Sequence, residues 1–276
     1  MSEIQIDSGL APINNAHIYY EMAGKGQPFV MIHAGVCDNR QWNNEFVHFA
    51  DRFRVIRYDM RGYGKSEPVE GEYSNLQDLT ALLDHLHIDG PLILMGCSMG
   101  GGLTMDFALS NLSRAKALIM VDSGPSGLEL DIPASPKFAE AEKAYNAGNL
   151  DLVTELEVQI WFDGEGRTPE QVNGSMRKLA YEMNRRALAL DAKHLGKRLP
   201  DAQVPAAGRL GDLKIPVLVV VGNHDTPFTL AAADYMIDNI PSAQKASIED
   251  AAHMPNMDHP DEFQRIVSKF LDNVTR

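Results

Sequence analysis

Cysteine is scarce: the 276 residues hold two, Cys37 and Cys97, and neither stands in a Cys-x-x-Cys or Cys/His spacing. Two thiols build no disulfide framework, and without that spacing no cysteine-based metal site is expected. Both read as small buried or half-buried thiols. Apolar runs long enough to span a bilayer are missing as well. Basic residues are in deficit, with 25 Lys and Arg against 38 Asp and Glu, a formal net charge of −13 and a pI near 5.1. Nucleic acid and anionic membrane surfaces would repel such a chain, so neither is an expected partner. The opening stretch Met1 to Asp7 has no basic region followed by an apolar one, so no secretory leader is expected and the cytoplasm is the expected compartment. What the chain does have is 44% apolar residues, enough for a sizeable core. One large domain, with a lid inserted, is the expectation.

The most informative stretch is Leu92-Ile93-Leu94-Met95-Gly96-Cys97-Ser98-Met99-Gly100-Gly101-Gly102. An apolar run suited to a strand buried on both faces leads into Gly-x-Ser-x-Gly, and a helix-compatible segment follows. A turn this sharp needs small residues two before and two after the serine, which Gly96 and Gly100 supply. It would project the Ser98 hydroxyl clear of the sheet and aim the first helical amides at the same space. Other continuous apolar runs, Pro28–Ile32, Phe53–Tyr58, Ala115–Val121 and Ile215–Val221, read as further strands, and Glu3–Ala23 as an antiparallel pair at a sheet edge. Helical patterns cover Asp38–Ala50, Tyr73–Ile88, Phe228–Ile240 and about Pro260–Val274. Between Pro125 and Leu213 the apolar runs stop and amphipathic helical patterns take over, at Phe138–Ala147, Leu150–Trp161 and Pro169–Leu190. Met176 and Met183, seven apart on the last of these, share a face and read as packing between this segment and the body.

Five motifs stand in order. They are His33-Ala34-Gly35-Val36, Asp59-Met60-Arg61-Gly62-Tyr63-Gly64-Lys65-Ser66, the Ser98 turn, Gly222-Asn223-His224-Asp225, and the loop Ala251-Ala252-His253-Met254. In the second, Gly64-Lys65-Ser66 does not close a helix start, which argues against a phosphate-binding loop. Together they resemble the alpha/beta hydrolase superfamily, in particular its branch of carboxylesterases, 3-oxoadipate enol-lactonases and carbon–carbon hydrolases. The resemblance covers nearly the whole chain. It implies an α/β fold with a mostly parallel central sheet, helices on both faces, and an inserted helical cap. Residues 1–125 and 213–276 would form the core and 126–212 the cap.

The same resemblance implies Ser98 as nucleophile, His253 as base and Asp225 as the acid that orients it. Asp122, after the Ala115–Val121 run, stays open as a competitor for the acid. The oxyanion hole would use the amide of Met99 and that of Gly35 or Val36. This chain has Ala34 where the family has its first glycine, which leaves the choice between those two open. His33 would brace its loop, and Asp59 and Arg61 would hold theirs by hydrogen bonds and an ion pair. Trp161, Phe228 and Met254 are candidate substrate contacts. A free serine hydroxyl is a poor nucleophile, and an imidazole, with an ordinary pKa of about 6.5, suits the base. Serine at position 98 argues against dehalogenase and epoxide hydrolase chemistry, which use a carboxylate there. The expected activity is cleavage of a small carboxylic ester or lactone through an acyl-enzyme, with no cofactor and no metal. A carbon–carbon bond hydrolase and a non-catalytic ligand sensor on the same fold are the alternatives. Oligomeric state is left open.

Overall fold

The computed structural model describes residues 4–275. The expected absence of a leader rests partly on Met1 to Glu3, which lie outside the described residues. The chain runs through strands β1 (Ile6–Ile13), β2 (Ala16–Ala23) and β3 (Pro28–Ile32), helix α1 (Asn43–Ala50) and strands β4 (Arg54–Tyr58) and β5 (Glu72–Tyr73). Helix α2 (Asn75–His85), strand β6 (Leu92–Cys97), helix α3 (Met99–Ser110) and strand β7 (Ala115–Val121) follow. Then come α4 (Pro136–Asn146), α5 (Leu150–Val158), α6 (Gly174–Asp191) and the two-residue β8 (Lys197–Arg198). The last part is β9 (Val217–Gly222), α7 (Pro227–Asn239), β10 (Ala243–Ile248), α8 (Pro255–Asp258) and α9 (Pro260–Val274).

Eight strands form one sheet in the order β1-β2-β4-β3-β6-β7-β9-β10, and β5 pairs with β8 apart from it. Pairings β1/β2 and β2/β4 are antiparallel and the rest of the large sheet is parallel. The continuous apolar runs account for this. A parallel strand covered by helices on both faces is apolar at every position, as β6 and β9 are along their full length. Alternate residues feed opposite layers. Leu92 and Leu94 pack with Leu79, Phe107 and Met236, whereas Ile93 and Met95 pack with Trp42, Phe46 and Phe263. In α9 the buried residues Phe263, Val267, Phe270 and Leu271 fall on one stripe, the spacing that lays a helix on a sheet.

Capping residues explain where the boundaries differ from the sequence pattern. Asp38 caps a 3-10 turn, Asn39–Trp42, so the expected single helix is a turn followed by α1. Ser74 accepts from Gln77 N–H and starts α2 after Tyr73, which pairs in β5 instead. The segment between β7 and β9 is mainly helical, and α5 runs into a π-helical turn at Gln159–Asp163. Phe162, Ala180 and Met183 pack into the same layer as β3 and β6, with Met176 against it. Arg167 pairs with Asp258 at 2.7 Å, both side chains 5% exposed, which fastens this segment to α8.

One buried carboxyl ties two loops near the strand ends. Glu45 of α1 is fully buried and accepts from Asn256 Nδ2 at 3.1 Å and Gln264 Nε2 at 3.3 Å. Asn256 Nδ2 also donates to the Gln41 carbonyl at 2.8 Å, and Gln41 Oε1 accepts from Ala34 N–H at 2.8 Å. Burial pushes the Glu45 carboxyl up to about 7, against the lowering by its two amide donors. The folded chain therefore holds this proton after the unfolded chain has released it. The stabilisation is complete below the ordinary glutamate range and is lost as pH rises to about 7. The loss is roughly 3 kcal/mol. Urea unfolding of the parent and of Glu45→Gln between pH 4 and pH 8 checks this, with the parent losing more stability across that range. Parallel curves would show that Glu45 does not titrate there.

Candidate active site

Ser98 joins β6 to α3 with φ 53° and ψ −118°, a conformation that costs any residue with a side chain. Its neighbours decide whether the chain can pass. A Cβ on Gly96 would overlap the Gly100 carbonyl, and one on Gly100 would overlap the carbonyls of Ile32 and His33. All of these obstacles are backbone atoms with little room to give. Gly100→Ala is accordingly expected to destabilise the fold by about 1–3 kcal/mol, read as a lower urea midpoint. An unchanged midpoint would mean that the turn is looser than its geometry.

His253 and Asp225 arrive from separate loops. Asp225 follows β9, where Thr226 N–H donates to its Oδ1 at 2.6 Å. Its Oδ2 lies 2.6 Å from His253 Nδ1, and both residues are buried. That contact places the ring proton on Nδ1 and leaves Nε2 as the acceptor nitrogen. Trp161 lies against the imidazole with ring centroids 4.4 Å apart, and its carbonyl accepts from His253 N–H at 3.2 Å. A side chain on Gly222 would strike the carbonyls of Ala251 and Ala252, so the close approach of the two loops needs glycine there. Ser98, His253, Trp161 and Phe228 line one cavity of about 510 Å³.

Asp122 reaches the same place. It has φ 40°, is fully buried, and its Oδ1 accepts from Gly222 N–H at 2.9 Å. Its Oδ2 has no partner among the described residues. Ligand atoms of Asp122, Asp225 and His253 lie within 4.8 Å of one another. Burial first, and the neighbouring Asp225 carboxylate second, hold the Asp122 carboxyl well above the usual range. These three side chains also have the spacing of a metal group, although three of their four carboxylate oxygens already accept hydrogen bonds.

Three expected contacts lie elsewhere. Met254 does not line the cavity. It points away from the His253 ring into the core, with its sulfur 3.2 Å from Cys37 Sγ. Gly35 and Val36 line a second cavity of about 180 Å³, which does not reach Ser98. The Met99 side chain packs beside Gly35, where its Cε would lie 3.6 Å from an added Cβ. The amides of Gly35 and Val36 donate to no acceptor among the described residues. His33 is buried, its Nε2 accepting from Met60 N–H at 3.0 Å while its Nδ1 contacts the Ala34 carbonyl at 2.7 Å. It thus links the two loops. Asp59 accepts from Asn39 N–H and Lys65 N–H, and Arg61 pairs with Asp78 of α2 at 2.8 Å. Several polar cavity residues carried no signal in the sequence pattern. Among them are Ser123, whose buried hydroxyl has no partner among the described residues, and Arg198.

The family comparison matches residues 27–260 to the alpha/beta hydrolase fold. The chain belongs to this alpha/beta hydrolase family. A 2-hydroxy-6-oxononadienedioate/2-hydroxy-6-oxononatrienedioate hydrolase of Comamonas testosteroni is similar to it, 26% identical over 95% of this chain and 93% of that protein. A pimeloyl-[acyl-carrier protein] methyl ester esterase of Aeromonas hydrophila is 28% identical over 91% of this chain and 98% of that protein. Among solved structures, the enol-lactonase from Burkholderia xenovorans LB400 superposes with a TM-score of 0.77 at 21% identity, over 96% of this chain and 100% of that one. This last likeness concerns the fold. No helix among the described residues of this alpha/beta hydrolase is long and apolar enough to cross a membrane.

Proposed function

We propose that the chain is a serine hydrolase that cleaves a small carboxylic ester or lactone through Ser98, His253 and Asp225. The observation that carries this reading is the 2.6 Å contact between Asp225 Oδ2 and His253 Nδ1, on an imidazole that shares a cavity with Ser98. His253 Nε2 takes the Ser98 proton as the hydroxyl attacks the carbonyl carbon, and Asp225 stabilises the imidazolium without accepting its proton. The oxyanion is held by the Met99 amide at the α3 terminus and by that of Gly35 or Val36. His253 then protonates the departing alcohol. Water activated by the same nitrogen releases the acid. Residues 126–212 act as the cap, and Trp161 and Phe228 line the substrate side.

Labelling with a fluorophosphonate, followed by peptide mass mapping, tests the nucleophile: the adduct is expected on Ser98. Turnover of short p-nitrophenyl esters tests the reaction. Labelling elsewhere, or none together with no turnover, would overturn the reading. A carbon–carbon bond hydrolase is the second reading. What favours it is the similarity, at 26% and 27% identity, to a 2-hydroxy-6-oxononadienedioate hydrolase and a 2-hydroxy-6-oxo-6-phenylhexa-2,4-dienoate hydrolase. Faster turnover of dienone acids than of esters would select it.

A further inference from the structure

The cavity shared by Ser98 and His253 has one Lys or Arg among its described lining residues, Arg198 of β8. A guanidinium carries five donors in a rigid fork, so their partners show where its charge is aimed. Asp201 Oδ2 holds Nη2. Asp201 is itself fixed, since its Oδ1 accepts from Leu76 N–H at 3.1 Å and lies 3.3 Å from the Ser74 hydroxyl. Nη1 has a poorer partner, the thioether sulfur of Met99 at 2.9 Å. Sulfur of this kind is a weak acceptor. Arg198 is therefore turned and held by a carboxylate on one side, with a donor edge facing the residue next to Ser98. Its side chain is 39% exposed, so a ligand can reach it.

We propose that Arg198 anchors a carboxylate, and that the substrate is an ester or lactone carrying a second, free carboxylate group. The inference rests on Ser98 being the nucleophile, and it adds the chemical class of the acyl part. The carboxylate oxygens would replace the Met99 sulfur on Nη1, exchanging a weak acceptor for a charge-assisted bond. Leu103, Pro200, Pro205 and Phe228 line the same cavity, apolar surface that suits a hydrocarbon spacer. The acids on this cavity are already engaged. Asp106 accepts from the Ser126 hydroxyl at 2.7 Å, Asp201 is paired with Arg198, and Asp122 hydrogen-bonds Gly222 N–H.

The test compares monomethyl esters of succinate, glutarate and adipate with methyl butyrate, valerate and hexanoate, which match them in length but lack the second carboxylate. For at least one length, kcat/KM for the half-ester is expected to exceed that for the neutral ester by about 10- to 100-fold. Arg198→Gln should collapse that ratio to near one, and Arg198→Lys should keep part of it. Calorimetric titration of Ser98→Ala with the preferred half-ester reads the anchor without turnover, and adding Arg198→Gln should weaken that binding by a similar factor. A ratio at or below one at every length, or one that Arg198→Gln leaves alone, would overturn the anchor. If no ester is turned over but half-ester binding still depends on Arg198, the anchor stands and the hydrolytic reading falls.

Discussion

Ser98→Ala is expected to lower kcat for the best ester by about 10⁴- to 10⁶-fold while the protein unfolds at nearly the same urea concentration as its parent. Two observations separate the catalytic loss from a folding effect. Ser98 makes no capping bond to α3, and its main-chain links, Ser98 N–H to the Val121 carbonyl at 2.9 Å and Gly102 N–H to the Ser98 carbonyl at 3.0 Å, survive the change. Alanine also meets the same positive φ that serine already tolerates, so the stability change should stay within about 0.5 kcal/mol. What remains after the change is catalysis by binding and by the oxyanion amides acting on direct attack by water. Steady-state kinetics on freshly purified variant, with fluorophosphonate labelling to detect contaminating parent, gives the measurement. Activity above about a tenth of the parent's would remove Ser98 from the role.

How much of this was legible beforehand differs between backbone and side chains. The parallel strands could be read because burial on both faces demands uninterrupted apolar residues, as in Leu92–Cys97 and Val217–Gly222. The Ser98 turn could be read because steric exclusion at Gly96 and Gly100 leaves a sequence trace. So could the meeting of the 225 and 253 loops, since both follow strands that end at one edge of the sheet. Side-chain direction left no such trace. Met254 follows His253 directly, yet its side chain goes to the core beside Cys37, because the backbone turns into α8 at that residue. Met99 lays its side chain beside Gly35 and brings its sulfur to Arg198, a rotamer choice that no residue pattern encodes. Arg198 reaches the cavity from a two-residue strand paired with Glu72–Tyr73, 125 positions away in register, and a pairing that short has no periodicity to detect.

The sharpest remaining distinction is between two buried acids. Asp225→Asn is expected to lower kcat/KM by about 10⁴-fold, and Asp122→Asn by no more than about tenfold. The asymmetry follows from what each carboxyl bonds. Asp225 Oδ2 accepts from His253 Nδ1, and an asparagine there can turn its NH₂ to that nitrogen, which moves the ring proton to Nε2 and blocks it as a base. Burial and the neighbouring Asp225 carboxylate both disfavour charge on Asp122, so a neutral asparagine of nearly the same shape suits its site. Its Oδ1 can still accept from Gly222 N–H, and no hydrogen bond from its Oδ2 is lost. The two single variants, assayed with one ester across pH 5 to pH 9, separate the roles. Should Asp122→Asn prove the more damaging, the acid of the triad would stand after β7, and the Asp225 contact with His253 would be one that this chemistry does not use.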